Sequence, residues 1–306
     1  MTLLWLIPLL VLIFLFGVSY YFSRLIIYPM NQTYESALES AIEDGFLAEN
    51  QWEEMAKEPF IIRSPFGYDL HGYFLPNGTA NRTVIVSHGI TSNLIKSYKY
   101  AQVFLNLDFN ALIYDHRNHG RSGGENTTFG YYEADDLRKV IDWLQEQKPG
   151  TEMIGIHGES LGAAIGLLAA SKDDRVAFMV ADCGYANFYD QVADRAKVEY
   201  HLPAFPLVPL AFLWARLFTG MKVNQVVPEQ AIIRIDAPVL IIHGDKDAYI
   251  DPSHAHRLAQ ADPENPRPCW FAPDADHAES LVKNKAQYHA QVKKFLLDHQ
   301  LITSDE

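Results

Sequence analysis

The pattern of hydrophobic and polar positions divides the chain into three stretches. Residues 3–22 carry no charge, and about 20 apolar positions are enough for a helix that crosses a bilayer. Over residues 34–55, apolar residues recur at helical spacing between acidic ones. Beyond Pro59, short apolar runs alternate with amphipathic segments. We therefore predict a membrane anchor over residues 1–23, a helical linker over residues 24–58 and a globular domain over residues 59–300.

The third stretch has the pattern of alternating strands and helices. A hairpin is predicted over residues 60–75, with its turn at residues 65–68. Each later apolar run is short and is bounded by Gly, Pro, Asp or Asn, which is typical of buried strands. The predicted strands are 83–86, 111–114, 153–156, 176–180, 239–242 and 269–271, and the predicted helices include 97–107 and 131–147. This alternation predicts an α/β fold in which helices cover both faces of a mostly parallel sheet.

One long segment interrupts the alternation. Between residue 184 and about residue 230 no strand is predicted, and the segment is rich in aromatic residues and contains Pro203, Pro206 and Pro209. Connections of this length are usually functional or helical in their own right. We predict a helical cap insertion over about residues 184–230 that lies above the functional site. Two ordinary helices covering the sheet are the alternative.

Composition excludes several classes of partner. The chain has 306 residues and a net charge of −13, whereas nucleic-acid binding needs clustered Lys and Arg. The sequence has no zinc-type Cys/His spacing, no Walker loop and no dinucleotide fingerprint, so we expect neither a metal nor a cofactor. Cys183 and Cys269 lie in or beside predicted strands, and we expect both to be buried and reduced.

The apolar N-terminal stretch has two other interpretations. A cleavable signal peptide normally carries Lys or Arg before its apolar run, and none precedes this one. A buried helix of a globular fold rarely lacks all charge over such a length. We therefore expect a single-pass anchor in the cell membrane. Arg24 follows the apolar run and favours a cytoplasmic position for the rest of the chain, although one arginine leaves the side of the membrane open.

The pentapeptide Gly158-Glu159-Ser160-Leu161-Gly162 carries the clearest chemical signal. It has the form G-x-S-x-G and lies between a predicted strand and a run of small apolar residues typical of a helix. A serine hydroxyl becomes a useful nucleophile when a tight strand-to-helix turn lifts it above a sheet, within reach of a histidine. We therefore predict that Ser160 is a catalytic nucleophile. A serine that merely caps a glycine-rich helix is the alternative.

A serine nucleophile needs a base and an acid, and in open α/β sheets these lie where strands end. His277 follows the last predicted strand, and we predict that it is the base. His243 competes with it, but His243 stands at a strand end before a glycine, where it more simply orders the loop. Three aspartates follow the strand at 239–242, and sequence alone leaves Asp245, Asp247 and Asp251 open as the acid.

An acyl-transfer transition state also needs hydrogen-bond donors for its oxyanion. Residues 87–91 follow a predicted strand, and the glycine in this loop lets backbone N–H groups face a pocket. We predict that the oxyanion hole consists of two backbone N–H groups, those of Ile90 and Leu161. Leu161 is the residue directly after the nucleophile.

Together these motifs resemble those of the α/β-hydrolase superfamily over about residues 60–300. The matching segments are His88-Gly89, the D-x-R-x-x-G-x-S loop at 115–122, the nucleophile turn at 158–162, His243-Gly244-x-x-Asp247 and Asp276-His277-Ala278-Glu279. Within this superfamily the chain resembles membrane-anchored bacterial hydrolases related to the monoacylglycerol-lipase and peptidase-like types. The resemblance implies the α/β-hydrolase fold and assigns the acid to Asp247. One departure is Ile250-Asp251-Pro252, where relatives often have Val-Pro.

The expected function is that of a serine hydrolase, which cleaves an ester or thioester through an acyl-enzyme on Ser160. The aromatic cap suggests a small-molecule substrate with an apolar acyl or aryl group. An amidase or peptidase would use the same residues. A non-catalytic, membrane-tethered binding protein is the alternative from a different class. Dehalogenase chemistry is disfavoured, because enzymes of that type generally have Asp in place of Ser160.

Overall fold

The computed structural model describes residues 2–303, which contain a sheet of eight strands. The order across the sheet is β1-β2-β4-β3-β5-β6-β7-β8; β1 and β2 are antiparallel to their neighbours, and all other pairs are parallel. In chain order the strands are β1 (Glu58–Arg63), β2 (Asp69–Leu75), β3 (Arg82–Ser87), β4 (Asn110–Tyr114), β5 (Met153–Glu159), β6 (Val176–Asp182), β7 (Val239–Gly244) and β8 (Cys269–Ala272). The predicted α/β fold, its hairpin and each predicted strand are confirmed.

Helices cover both faces of this sheet. In chain order they are α1 (Thr2–Ile27), α2 (Tyr34–Glu43), α3 (Gln51–Glu54), α4 (Leu94–Leu105), α5 (Glu133–Gln147), α6 (Leu161–Ala170), α7 (Phe188–Val198), α8 (Ala204–Thr219), α9 (Pro228–Ala231), α10 (Ser253–Ala259), α11 (Ser280–Lys283) and α12 (Lys285–Asp298). The segment for which a cap is predicted contains α7, α8 and α9, between β6 and β7.

The sheet separates two hydrophobic cores. Along β3, Ile85 belongs to one core while Val84 and Val86 belong to the other, as the alternation of side chains along a strand requires. Helices α5 and α6 pack in the first core, and α4 and α12 pack in the second. Both faces of the central strands are therefore buried, which explains their nearly continuous apolar sequences.

The helix predicted over residues 34–55 is instead two helices, α2 and α3. Gly45 has a φ of 72°, and the N–H groups of Phe46 and Leu47 both turn back to the carbonyl oxygen of Ala41. A glycine in this left-handed conformation ends a helix, because a residue with a side chain adopts it at a cost. The break brings Phe46 and Leu47 into the second core.

The two cysteines differ in burial. Both are free thiols, as expected. Cys183 is buried, but Cys269 is only half-buried. The expectation of burial was wrong for Cys269 because β8 is an edge strand, which has a neighbouring strand on one side only, and three of its four residues are half-buried.

Helix α1 continues to Ile27, four residues beyond the predicted end of the anchor. Ile27 is fully buried in the first hydrophobic core. The segment Leu6–Ile27 is long and apolar enough to cross a membrane. The end of this helix is therefore part of the packed domain, and the division of the chain into anchor, linker and domain stays a prediction.

Candidate active site

Ser160 lies in the turn between β5 and α6 with φ 54° and ψ −113°, a conformation that is strained for a residue with a side chain. A Cβ atom on Gly162 would lie 2.0 Å from the carbonyl oxygen of Ser87, and one on Gly158 would lie 2.3 Å from the carbonyl oxygen of Gly162. The two glycines therefore allow α6 to approach β3 and β5 closely. The resulting sharp turn raises the Ser160 side chain at the carboxyl end of the sheet.

The side chains of His277 and Asp247 come from the loops after β8 and β7. The Nε2 atom of His277 lies 3.0 Å from the Oγ atom of Ser160, and its Nδ1 atom lies 2.8 Å from Oδ2 of Asp247. When Nδ1–H donates to Asp247, Nε2 is free to accept the proton of Ser160. The fold thus joins three residues that are far apart in sequence into one hydrogen-bonded chain.

Asp247 is buried and hydrogen-bonded on both carboxylate oxygens. Its Oδ1 atom accepts from the N–H groups of Tyr249 (2.9 Å) and Ile250 (2.8 Å), and Oδ2 lies 3.2 Å from Nε2 of His243. Burial raises the pKa of a carboxyl group, but here the hydrogen bonds with His243 and His277 outweigh it and hold the pKa of Asp247 well below its usual range. Asp247 is therefore an anion at neutral pH.

The other candidate residues lie apart from the Ser160–His277 pair. Asp245 is exposed, and Asp251 accepts a hydrogen bond from the N–H of Ser253 at the start of α10. His243 is fully buried, and its Nε2 lies 2.8 Å from the carbonyl oxygen of Ile250 in addition to its contact with Asp247. His243 therefore holds the loop that carries Asp247. Of the three candidate aspartates, the structure places Asp247 beside His277.

The backbone N–H groups of Ile90 and Leu161 belong to residues beside the nucleophile. Both residues line the same cavity as Ser160. Neither N–H group donates a hydrogen bond to another atom of residues 2–303. A buried donor without a protein acceptor is costly unless a ligand or water satisfies it. The two groups are therefore free to donate to a ligand in this cavity.

His88 orients the loop that carries Ile90, a role that the sequence analysis missed. Its Nδ1–H donates to the carbonyl oxygen of Gly89 (2.7 Å), and its Nε2 accepts from the N–H of His116 (3.0 Å). Burial, and then the nearby His116 and His119, lower the pKa of His88 well below its usual value, so the ring is neutral. In a trans peptide the C=O and N–H point in opposite directions. Because His88 holds the Gly89 carbonyl, the Ile90 N–H points away from His88.

An ion pair beside the nucleophile was also missed. The Nζ atom of Lys99 lies 2.9 Å from Oε2 of Glu159, and both side chains are largely buried. Burial raises the pKa of Glu159, but the Lys99 ammonium group outweighs it and lowers that pKa. Sequence provides no signal for this pair, since a lysine on a helix is most simply a surface residue.

An apolar cavity of about 610 Å³ opens at Ser160. Its walls include side chains from α1, α7 and α8, among them Phe22, Leu25, Ile26, Val192, Leu207, Val208 and Ala211. The charged residues of its lining, Arg195 and Glu199, are paired with each other at 2.9 Å. The cavity therefore suits an apolar group. Within residues 2–303, no group of three or more His, Cys, Asp or Glu side chains is arranged to hold a metal ion.

Comparisons with known sequences identify the family of this chain. Residues 82–201 match the family described as the alpha/beta hydrolase fold. The uncharacterized protein YqkD of Bacillus subtilis is 40% identical over 278 residues, which cover 90% of each chain. Human monoglyceride lipase is 28% identical over 236 residues, which cover 66% of this chain and 77% of the lipase.

Solved structures share the fold. An esterase of Pyrococcus furiosus has a TM-score of 0.68 to this chain at 24% sequence identity, over 82% of this chain and 94% of the esterase. A second neighbour is Est1E of Butyrivibrio proteoclasticus with ferulic acid bound, which has a TM-score of 0.61 at 18% identity, over 79% of this chain and 99% of that one.

Proposed function

The chain belongs to the α/β-hydrolase superfamily and is a hydrolase, and we propose that it cleaves a carboxylic ester or thioester through an acyl-enzyme formed on Ser160. The observation that carries this proposal is the hydrogen-bonded chain from Ser160 through His277 to Asp247, at the mouth of an apolar cavity. Names of relatives, which include a lipase and an esterase, point to the same class of reaction.

Acylation begins when the Oγ atom of Ser160 attacks the carbonyl carbon of the substrate. His277 Nε2 accepts the hydroxyl proton and then delivers it to the leaving alcohol or thiol, whose bond to the acyl carbon breaks. Asp247 stabilises the imidazolium that forms in between. The N–H groups of Ile90 and Leu161 donate to the oxyanion of the tetrahedral intermediate.

Deacylation repeats these steps with water as the nucleophile. His277 takes a proton from water, the hydroxide oxygen bonds to the acyl carbon, and the proton passes to Ser160 as the ester bond to its Oγ breaks. The free acid and the starting enzyme result. The cavity beside Ser160 would hold the acyl group, and its apolar lining favours an apolar one.

We also propose that the protein is anchored in the cell membrane. The length and apolar composition of Leu6–Ile27 support a single-pass anchor in the cell membrane. Arg24 at its C-terminal end favours the cytoplasmic side for the hydrolase domain. Protease treatment of intact and of permeabilised cells tests this orientation, since only a domain outside the membrane is digested in intact cells.

A fluorophosphonate probe tests the chemistry, because it labels activated serines. The full chain in detergent micelles is treated with the probe, and Ser160→Ala is treated in parallel. We expect labelling and hydrolysis of p-nitrophenyl butyrate by the wild-type protein, with both lost in Ser160→Ala. Labelling that persists in Ser160→Ala, or a folded wild-type protein that is neither labelled nor active, would overturn the proposal and favour a binding protein.

A further inference from the structure

The cavity beside Ser160 has one wall from outside the predicted hydrolase domain. Phe22, Leu25 and Ile26 of α1 line it together with Ser160. All three belong to Leu6–Ile27, the segment that is long and apolar enough to cross a membrane. The helix that we propose as an anchor therefore also encloses the space next to the nucleophile.

Helix α1 is held in this position by aromatic packing on α8. The ring of Trp214 contacts Phe16 and Tyr20 edge-on, with centroids 6.2 and 5.6 Å apart, and Phe218 contacts Tyr20 at 5.9 Å. Edge-to-face geometry is the favourable one for aromatic pairs at these separations. Near the C-terminal end of α1, the guanidinium group of Arg24 lies over the ring of Tyr28, 3.9 Å from its centroid. Helix α1 is thus packed on the domain and is more than a flexible tether.

Helix α8 extends the apolar surface of α1. Its exposed side chains are Phe205 (80% exposed), Leu213 (47%), Leu217 (67%), Phe218 (42%) and Arg216. A water-facing surface rarely carries so many large apolar side chains on one helix, directly beside another apolar helix. The same surface suits lipid. On its other side α8 contributes Leu207, Val208 and Ala211 to the cavity, so α1 and α8 line the cavity and also carry the neighbouring surface that suits the bilayer.

The charged side chains of the cavity wall limit the charge of a ligand that the cavity can hold. Arg195 is paired with Glu199, donates to the carbonyl oxygen of Ala248 at 2.9 Å and lies over the ring of Tyr249. Its charge is therefore already compensated and is not offered to an anionic group. No other charged side chain belongs to the lining that the described residues form. An uncharged ligand enters such a site without leaving an unpaired buried charge.

We propose that the substrate is an uncharged acyl lipid of the bilayer and that α1 forms part of its acyl-binding site. This inference rests on the proposed function. The acyl chain enters the cavity from the lipid around α1 and α8 and lies against Leu25 and Ile26. The ester group then reaches Ser160 without the chain crossing water. On this proposal the membrane-spanning segment determines which substrates are used.

The test compares one substitution at two places on α1. Leu25→Trp adds bulk inside the cavity wall, whereas Leu9→Trp makes the same change at an exposed position that does not line the cavity. The full chain is reconstituted in phosphatidylcholine vesicles. The probes are monopalmitoylglycerol, as an uncharged membrane lipid, and p-nitrophenyl acetate, as a small water-soluble ester. Fluorophosphonate labelling measures whether each variant keeps an accessible, activated Ser160.

We expect Leu25→Trp to lower kcat/KM for monopalmitoylglycerol at least about tenfold more than for p-nitrophenyl acetate, because pocket changes of this size discriminate between substrates by such factors. Leu9→Trp should change neither. Equal losses with both probes, or equal effects of the two variants, would overturn the inference. If Leu25→Trp is not labelled, Leu25→Ala replaces it, with a selective loss in the same direction expected.

The outcomes also separate this inference from the function on which it rests. A wild-type protein that is labelled at Ser160 and hydrolyses p-nitrophenyl acetate, but does not hydrolyse monopalmitoylglycerol, contradicts the lipid inference and keeps the hydrolase. A folded wild-type protein that is not labelled and hydrolyses neither probe contradicts the proposed function itself.

Discussion

Replacing Gly162 by alanine tests whether the sharp turn at Ser160 depends on close packing of α6. Alanine has a better helix propensity than glycine by about 1 kcal/mol, so a purely local argument expects Gly162→Ala to stabilise the protein. The structure predicts the opposite. The added Cβ would lie 2.0 Å from the carbonyl oxygen of Ser87 and 2.8 Å from that of His88, and both atoms belong to backbone.

The size of the effect follows from the required movement. Ordinary contact begins at 3.4 Å, so α6 and β3 must separate by roughly 1.4 Å at this point. Ser160 directly precedes α6 and would move with it. A misplacement of about 1 Å at a reacting group costs about 100-fold in rate, and overpacking of this kind costs about 1–3 kcal/mol in stability. We expect losses of both kinds.

Gly166→Ala on the same helix is the matched control. Its Cβ would lie 2.5 Å from the terminal methyl of Met179, a flexible side chain that can move away. The assays are kcat/KM for p-nitrophenyl butyrate and thermal unfolding of the full chain in detergent. If Gly162→Ala keeps wild-type activity and stability, or if Gly166→Ala loses as much activity as Gly162→Ala, the packing argument is wrong.

Three further predictions concern the carboxyl groups near Ser160. Asp247→Asn should lower kcat about 10⁴-fold through the wrong imidazole tautomer, whereas Asp245→Asn should leave the rate of ester hydrolysis unchanged. Burial, and then Glu159, raise the pKa of Asp182 to about 6. The contribution of this group to the free energy of unfolding is therefore present below about pH 4 and is lost as the pH rises through 6. Denaturant titrations across this pH range should show a loss of about 3 kcal/mol in the wild type that Asp182→Asn lacks. Lys99→Met should destabilise the protein by about 3–5 kcal/mol by leaving Glu159 buried and unpaired, and Glu159→Gln in the same chain should restore most of the loss in thermal unfolding.

The fold was predictable because its signals are local. A buried parallel strand reads as a short apolar run, and the strand-to-helix turn at Ser160 needs glycines on both sides at fixed spacing. The candidate base follows from the same logic, since His277 stands where a strand ends. Even the break between α2 and α3 has a local signal in Gly45, which the helical periodicity of its neighbours obscured.

What sequence could not supply is the choice of partners between distant segments. The residues alone leave Asp245 and Asp247 equivalent, and only the family resemblance assigns the acid to Asp247; in the structure the Asp247 carboxylate contacts His277 while Asp245 is exposed. The Lys99–Glu159 pair joins a helix to a strand end 60 positions away. The packing of α1 on α8 depends on where the chain enters the domain, and periodicity along either helix does not show it.

The environments of Asp247 and Asp182 predict which of them affects the rate of ester hydrolysis at acidic pH. Asp247 is ionised across the range in which ester hydrolysis is measured, because its pKa is held well below the usual value. Loss of activity on acidification therefore reports protonation of another group. Asp182 is one candidate, because its pKa of about 6 lies in that range and its backbone carbonyl accepts from the N–H of Ser160 at 2.8 Å. If the acid limb is the same in Asp182→Asn as in the wild type, protonation of Asp182 is not what lowers the rate on acidification.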